Sequence, residues 1–271
     1  MEFRTCVDIP KPDFQIEPCE TMLFVGSCFA DSIGQRFVDN KFRATVNPYG
    51  VMYNPASVLH TIERWESTPR LVFITLGTNH VYRLNETGEI VDNCQKRPQA
   101  LFTEEELTID LCADCLRRAT DVILSRQPEA HIVFTVSPIR YRKYGYHESQ
   151  LSKATLLLAV HEVCRTIPSA SYFPAYEIVL DELRDYRFYK EDMLHPSAQA
   201  VEYIWQQLVA HYLSPSAQQF LQEWAPLKAA LAHRPFNPGS EEYCTFMDKT
   251  MQKITALQKK YPNFDVLKEK I

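Results

Sequence analysis

Four side chains in this 271-residue sequence have the types and spacing of acyl-transfer chemistry. Ser27 and Cys28 stand side by side in "LFVGSCFADSIG", just after Gly26 ends an apolar run. Both are nucleophile types, and a strand-to-helix junction also offers backbone N–H groups to an oxyanion. Gly-Ser is equally ordinary turn chemistry, with the serine capping the helix. Asp192 and His195 lie three apart in "DMLHPS". That spacing lets a carboxylate reach an imidazole nitrogen across a tight turn, set its tautomer and leave the other nitrogen free as a base. Pro196 puts His195 at a helix start, where the dipole disfavours imidazolium and leaves a neutral base. Taken singly, each pair also reads as capping and surface residues.

Other residues could complete such a site. Gly77-Thr78-Asn79 offers a glycine N–H and an asparagine amide as oxyanion donors, and Gly50 offers another N–H; all are also turn residues. Ser137 and Arg140 follow the apolar run "HIVFTV", where Arg140 could hold an anionic substrate group or make a surface ion pair. Lys153 reads as opening a helix, where a cation is mildly disfavoured, a reason to look for its partner. Arg184 and Arg187 sit among Asp181, Glu182 and Asp185, which local ion pairing explains. Cys112 and Cys115 form a CxxC inside a helical pattern; without a second CxxC or an HxxxH they read as core cysteines. No metal or organic cofactor is implied.

These groups need elements to hold them. Met22–Val25 is a short apolar strand, and Phe29, Ile33 and Phe37, four apart, form one face of a helix. Phe42–Val46 alternates like a strand, "NPYGVMYNP" has turn signals at both ends, and Asn54-Pro55 starts a helix to about Trp65. Leu71–Leu76 and His131–Val136 are continuous apolar runs, the mark of strands buried on both faces. A hairpin is expected around Glu86–Gly88. Thr103 and Glu106 fit a capping box opening a long helix through Leu107, Leu111, Leu116 and Ile123. A helix from about Ser152 to Arg165, a strand over Ser171–Phe173 and a helix beginning at Pro196 complete the order. The alternation predicts an α/β fold with a mostly parallel sheet of about five strands and helices on both faces. Ligand sites in such sheets lie at the carboxyl ends of the strands, where Ser27, Gly77 and Ser137 fall. After Leu213 the pattern changes to two helices around a Pro/Gly linker. This divides the chain into a domain over 1–213 and a helical C-terminal extension over 214–271, which could be a cap, a tail or a homo-oligomer interface.

A hydrophobic share of 45% suits a substantial core, and a formal net charge of -5 argues against a nucleic-acid partner. The basic, aromatic run "RYRKYGYH" (Arg140–His147) is short and reads as a solvated loop. No apolar run is long enough to span a membrane, and "MEFRTCVDIPKPDF" lacks the apolar segment of a secretory signal. The expectation is a cytoplasmic protein whose eight cysteines are reduced.

The order of these features is more specific than any one of them. A small-residue turn after the first strand, Gly after the second, GxN after the third and DxxHP before the last helix together resemble the SGNH (GDSL-like) hydrolase superfamily. Within it, "GSCFA" (Gly26–Ala30), "NPYGVMYNP", "SPIRYRKYG", "SKATLL", "YFPAYEIVLDELRDYRFY" and "DMLHPS" resemble the GSCFA domain family over about Phe3–Leu213. The resemblance implies a flavodoxin-like three-layer α/β/α fold and a site for hydrolysis or acyl transfer on a small ester or acylated molecule, acylated carbohydrates included. It implies Asp192 and His195 as orienting carboxylate and base, and Gly50 and Asn79 as oxyanion donors. The superfamily turn reads Gly-Asp-Ser, so strict register puts Cys28 on the nucleophile and Ser27 on the aspartate. A one-residue slip would make Ser27 the attacker. Cys28 is preferred, because a helix N-terminus and a nearby histidine favour thiolate. A non-catalytic ligand-binding protein on the same scaffold is the alternative.

Overall fold

The computed structural model describes residues 4–67, 69–92, 94 and 97–265. Its elements run β1 (Thr21–Gly26), α1 (Cys28–Asp39), β2 (Arg43–Val46), α2 (Pro55–Arg64), β3 (Leu71–Leu76), β4 (His80–Leu84), β5 (Ile90–Val91), β6 (Phe102–Glu106), α3 (Ile109–Arg126), β7 (His131–Val136), α4 (Tyr146–Thr166), β8 (Ala170–Tyr172), the short α5 (Ala175–Glu177), α6 (Ala198–Tyr212), α7 (Pro215–Ala232) and α8 (Glu241–Lys260). Five strands form one sheet in the order β2-β1-β3-β7-β8, every pair parallel. The order reverses between β1 and β3, which makes the crevice at their carboxyl ends the topological switch point of the sheet.

Side-chain alternation builds the three layers. Met22, Phe24, Leu71, Phe73 and Val133 face one core with Phe29, Ile33 and Phe37 of α1 and Ile204 and Leu208 of α6. Leu23, Val25, Val72, Ile74, Ile132 and Phe134 face the other, against α2, α3 and α4 through Leu59, Leu116, Ala159 and Val160. Each such side chain contributes about 1.5–3 kcal/mol by leaving water. Phe24 and Phe73 stack at 4.6 Å, coupling β1 to β3 under the crevice. Cys112 of the CxxC lies in the second core, where burial pushes its thiol up to about 12.

Three expected elements differ. The capping box at Thr103 and Glu106 is not a helix start: Phe102–Glu106 is a strand, antiparallel to β4, and α3 begins at Ile109 behind its cap Thr108. Cross-strand pairing outweighs the local motif there, with Arg83 bound to Glu105. β4 joins β5 through a turn at Gly88, giving a three-stranded antiparallel sheet in the order β5-β4-β6. α4 begins at Tyr146 rather than Ser152, so Lys153 sits in its third turn instead of at its start. The run "RYRKYGYH" is only partly a solvated loop: Tyr144 stacks on His80 at 3.8 Å and Lys143 pairs with Glu104 at 2.8 Å.

The C-terminal helices continue the first core. Phe220 and Trp224 of α7 are buried in the same cluster as Phe37 and Phe42, and Trp224 donates to Asp39 O. Ile254, Leu257 and Phe264 close over them. No helix among the described residues is long and apolar enough to cross a membrane.

Candidate active site

The β1–α1 turn is held against β3 by a close approach that only glycine permits. Gly26 has φ +138, and a Cβ there would lie 2.0 Å from Thr75 O. The next residue uses that proximity: Ser27 N–H donates to Thr75 O and lies 3.0 Å from Thr75 Oγ1. Ser27 Oγ accepts from Phe29 N–H as the N-cap of α1 and bonds the Thr75 hydroxyl at 3.1 Å. Ser27 is 1% exposed, so its hydroxyl is enclosed and fully engaged. Cys28, the first residue of α1, is half-buried and faces Tyr53, with Sγ 4.0 Å from the phenol oxygen. The adjacent residues thus meet different partners, serine the buried Thr75 and cysteine the Tyr53 hydroxyl.

Asp192 and His195 form the expected pair. Asp192 Oδ2 lies 2.6 Å from His195 Nδ1, while Oδ1 accepts the N–H groups of Leu194 and His195. These two backbone donors, with the His195 side chain, hold the Asp192 carboxyl well below the usual carboxylate range. The bond on Nδ1 leaves Nε2 as the outward nitrogen. His195 is not at the helix start, because Ser197 caps α6 and Pro196 lies outside it.

Arg140 docks this loop beside β7. Its N–H donates to Leu194 O and its Nη1 to Met193 O, while the guanidinium lies over Tyr146 and Tyr189. Arg140 positions the histidine loop; an ion pair for it does not occur among the described residues. Ser137 is 0% exposed and its Oγ accepts from Ile139 N–H, so it shapes the β7 exit.

The expected oxyanion donors are engaged elsewhere. Gly50 N–H donates to Asn47 O, closing its own turn. Gly77 N–H and Thr78 N–H both donate to Tyr53 O. Asn79 is 3% exposed; its N–H goes to Ser152 Oγ and its amide Nδ2 donates to Leu107 O at the start of α3. Gly77 is nonetheless required, since a Cβ would meet Tyr141 Oη at 2.9 Å and Tyr53 O at 3.1 Å.

Two tyrosines at this rim were not assigned from the sequence, and Lys153, singled out there only as a cation needing a partner, joins them. Tyr53 and Tyr141 meet edge to face at 6.1 Å above Gly77. Beneath them Lys153, 2% exposed, donates to Gly77 O at 2.6 Å and Ser137 O at 2.8 Å. It makes no ion pair among the described residues, and burial pushes its ammonium down to about 7. Both tyrosines fall in segments whose turn character is legible, but spacing does not say where a loop side chain points. An apolar helix face carrying a lysine was the available signal for Lys153.

A five-stranded parallel sheet between helical layers is the fold shared with the SGNH-like esterases and lipases. The solved structures it is similar to include a candidate platelet activating factor from Streptococcus pneumonia, 15% identical with a TM-score of 0.50, covering 72% of this chain and 84% of that one. A GDSL-like lipase candidate from Parabacteroides merdae is 13% identical with a TM-score of 0.47, covering 74% and 99%. A catalytic mutant of Axe2, an acetylxylan esterase from Geobacillus stearothermophilus, is 13% identical with a TM-score of 0.42, covering 73% and 96%. No curated protein shows significant sequence similarity to the chain. The chain belongs to the GSCFA family, whose model matches residues 21–69 and 66–208. The C-terminal domain of GSCFA domain proteins matches residues 224–270, covering α8 and the second half of α7.

Proposed function

We propose that this protein is an acyl hydrolase or acyltransferase that works through Cys28, His195 and Asp192 on a small ester or acylated molecule. The observation that carries the reading is the Asp192–His195 pair, bonded at 2.6 Å and docked by Arg140 just beyond β7, in the same parallel sheet whose β1 leads into Cys28. Cys28 Sγ attacks the ester carbonyl carbon and its proton passes to His195 Nε2. The tetrahedral intermediate collapses to a thioester as the ester C–O bond breaks, and His195 returns that proton to the departing alcohol. Water, or a second alcohol or amine, then adds to the thioester with His195 again as base, freeing the thiol. Asp192 keeps the imidazole in the tautomer this cycle needs. The enclosure of Ser27 supports Cys28 as the attacking group. The chemistry so written needs no metal or organic cofactor. Eight free cysteines fit a reducing, cytoplasmic setting.

Hydrolysis of nitrophenyl acetate and iodoacetamide labelling test this reading. Turnover is expected in the wild type and lost in Cys28→Ala and His195→Ala, and His195→Ala should slow labelling of Cys28. Labelling as fast in His195→Ala as in the wild type would dissolve the thiol–imidazole pair. The second reading is a ligand-binding protein without turnover. It is favoured by the commitment of the Gly50, Gly77 and Asn79 donors to structural bonds. No hydrolysis across short acyl ester and thioester panels would support it.

A further inference from the structure

We propose that the Tyr53 hydroxyl, together with the Cys28 N–H, is the oxyanion donor of this site, in the role the sequence suggests for Gly50 and Asn79. The inference rests on the acyl-transfer reading and names a catalytic residue that reading lacks. An acyl transfer through a tetrahedral intermediate needs hydrogen-bond donors at the developing O⁻, and this is commonly the largest catalytic contribution. The peptide N–H groups at the second- and third-strand exits cannot serve, because Asn47, Tyr53 and Ser152 already accept from them. The Asn79 amide is bound to Leu107. At the start of α1 the Cys28 N–H is one of the helix-terminal donors left without an intrahelical acceptor.

Tyr53 meets the requirements of position, rigidity and protonation. Its oxygen is 4.0 Å from Cys28 Sγ. A donor belongs about 2.7–3.1 Å from the oxygen that develops, not from the nucleophile. That oxygen grows one carbon beyond the sulfur, to one side of the line from Sγ to the phenol oxygen, and the 4.0 Å separation lets it come within hydrogen-bond reach of the hydroxyl. The residue is fixed on both sides. Met52 N–H donates to Gly26 O, Tyr53 O accepts both Gly77 and Thr78, and Asn54 caps α2 through Ser57 N–H. The ring rests edge-on against Tyr141. Burial, with Cys28 next to it, pushes the phenol up to about 12, so it carries its proton at neutral pH and can donate. In the step itself Tyr53 O–H donates to the O⁻ and keeps its proton. The S–C bond forms, the ester C–O bond breaks, and the proton traffic stays on His195.

Tyr53→Phe removes one oxygen and keeps the ring, so the fold is expected to persist with an unchanged circular dichroism spectrum. With nitrophenyl acetate, kcat should fall about 10²–10³-fold, the usual loss for one oxyanion donor, while KM moves less than about threefold. A short trifluoromethyl ketone, which a thiolate converts to a bound tetrahedral adduct, should bind more weakly by a similar factor. Iodoacetamide alkylation of Cys28, a displacement that forms no oxyanion, should stay within about twofold. Unchanged kcat and ketone affinity in Tyr53→Phe, with an active wild type, would overturn the assignment and leave the Cys28–His195 reading standing. Parallel loss of alkylation and turnover would overturn it too, since Tyr53 would then act on the sulfur. A wild type with no turnover and no ketone adduct would remove both.

Discussion

Lys153 should make the stability of this protein depend on pH in a way a surface lysine cannot. Its Nζ is bonded to two carbonyl oxygens and to no carboxylate among the described residues, and burial lowers its ammonium from 10.5 to about 7. Above about pH 7 the folded side chain is neutral, while in the unfolded chain it stays protonated to about 10.4. The unfolded state therefore binds more protons between these values, and the free energy of unfolding rises with pH across that window. The penalty is full below about 7 and fades toward 10.4. One proton contributes about 1.4 kcal/mol per pH unit, so the rise from pH 7 to pH 9 is about 2 kcal/mol, allowing for half-titration at the lower end. Urea unfolding at both pH values, for the wild type and Lys153→Met, isolates the effect, because other groups cancel in the difference. The wild type should gain about 2 kcal/mol more than the variant between pH 7 and 9. Should Lys153→Met not fold, Lys153→Gln, whose amide still donates to one carbonyl, serves in its place. The same pH dependence in variant and wild type would refute the argument that the ammonium is held neutral.

Two further outcomes follow from the geometry. Gly26→Ala drives a Cβ into Thr75 O at a φ of +138 and should cost roughly 3–5 kcal/mol in urea unfolding, whereas Gly88→Ala, with φ +73 and open space, should cost only the left-handed strain of about 1–2 kcal/mol. Asp192→Asn should lower kcat/KM for nitrophenyl acetate about 10²–10⁴-fold by disturbing the His195 tautomer. Because the folded carboxyl is held low, its support of His195 is present above that depressed value and lost only as pH falls through it. The acid limb of the wild-type rate between pH 4 and 7 should therefore not follow carboxylate titration.

The strands were the most legible part of the fold. Leu71–Leu76 and His131–Val136 match their runs residue for residue because each is flanked by strands and covered on both faces, so His131, Thr75 and Thr135 are the only polar residues in them. The false helix start at Thr103 shows the opposite case, in which a correct local motif yields to pairing with a strand that precedes it by some twenty residues. The same division runs through the site. Asp192 and His195 were legible because their bond closes within one turn. The engagement of Asn79 with Leu107, and of Gly77 and Thr78 with Tyr53, depends on how distant loops lie against each other, and no spacing encodes that.

The rim behaves as a bonded chain rather than as independent residues. Lys153 Nζ donates to the carbonyl of the Gly77–Thr78 peptide, and the N–H of that same peptide donates to Tyr53 O. A donor on the oxygen side polarises the peptide and strengthens what its N–H gives, so the two bonds support each other. The second carbonyl on Lys153 belongs to Ser137, at the exit of β7, from which Arg140 reaches Met193 and Leu194 beside His195. A buried lysine that touches neither Cys28 nor His195 thereby ties the strand exit that fixes Tyr53 to the strand exit that carries the histidine loop. Burying an ammonium there is unfavourable by itself. The geometry gives that unfavourable burial a local reason: the carbonyl ends of two parallel strands converge where a site must stay open, and a single polyvalent donor joins them without filling the crevice above.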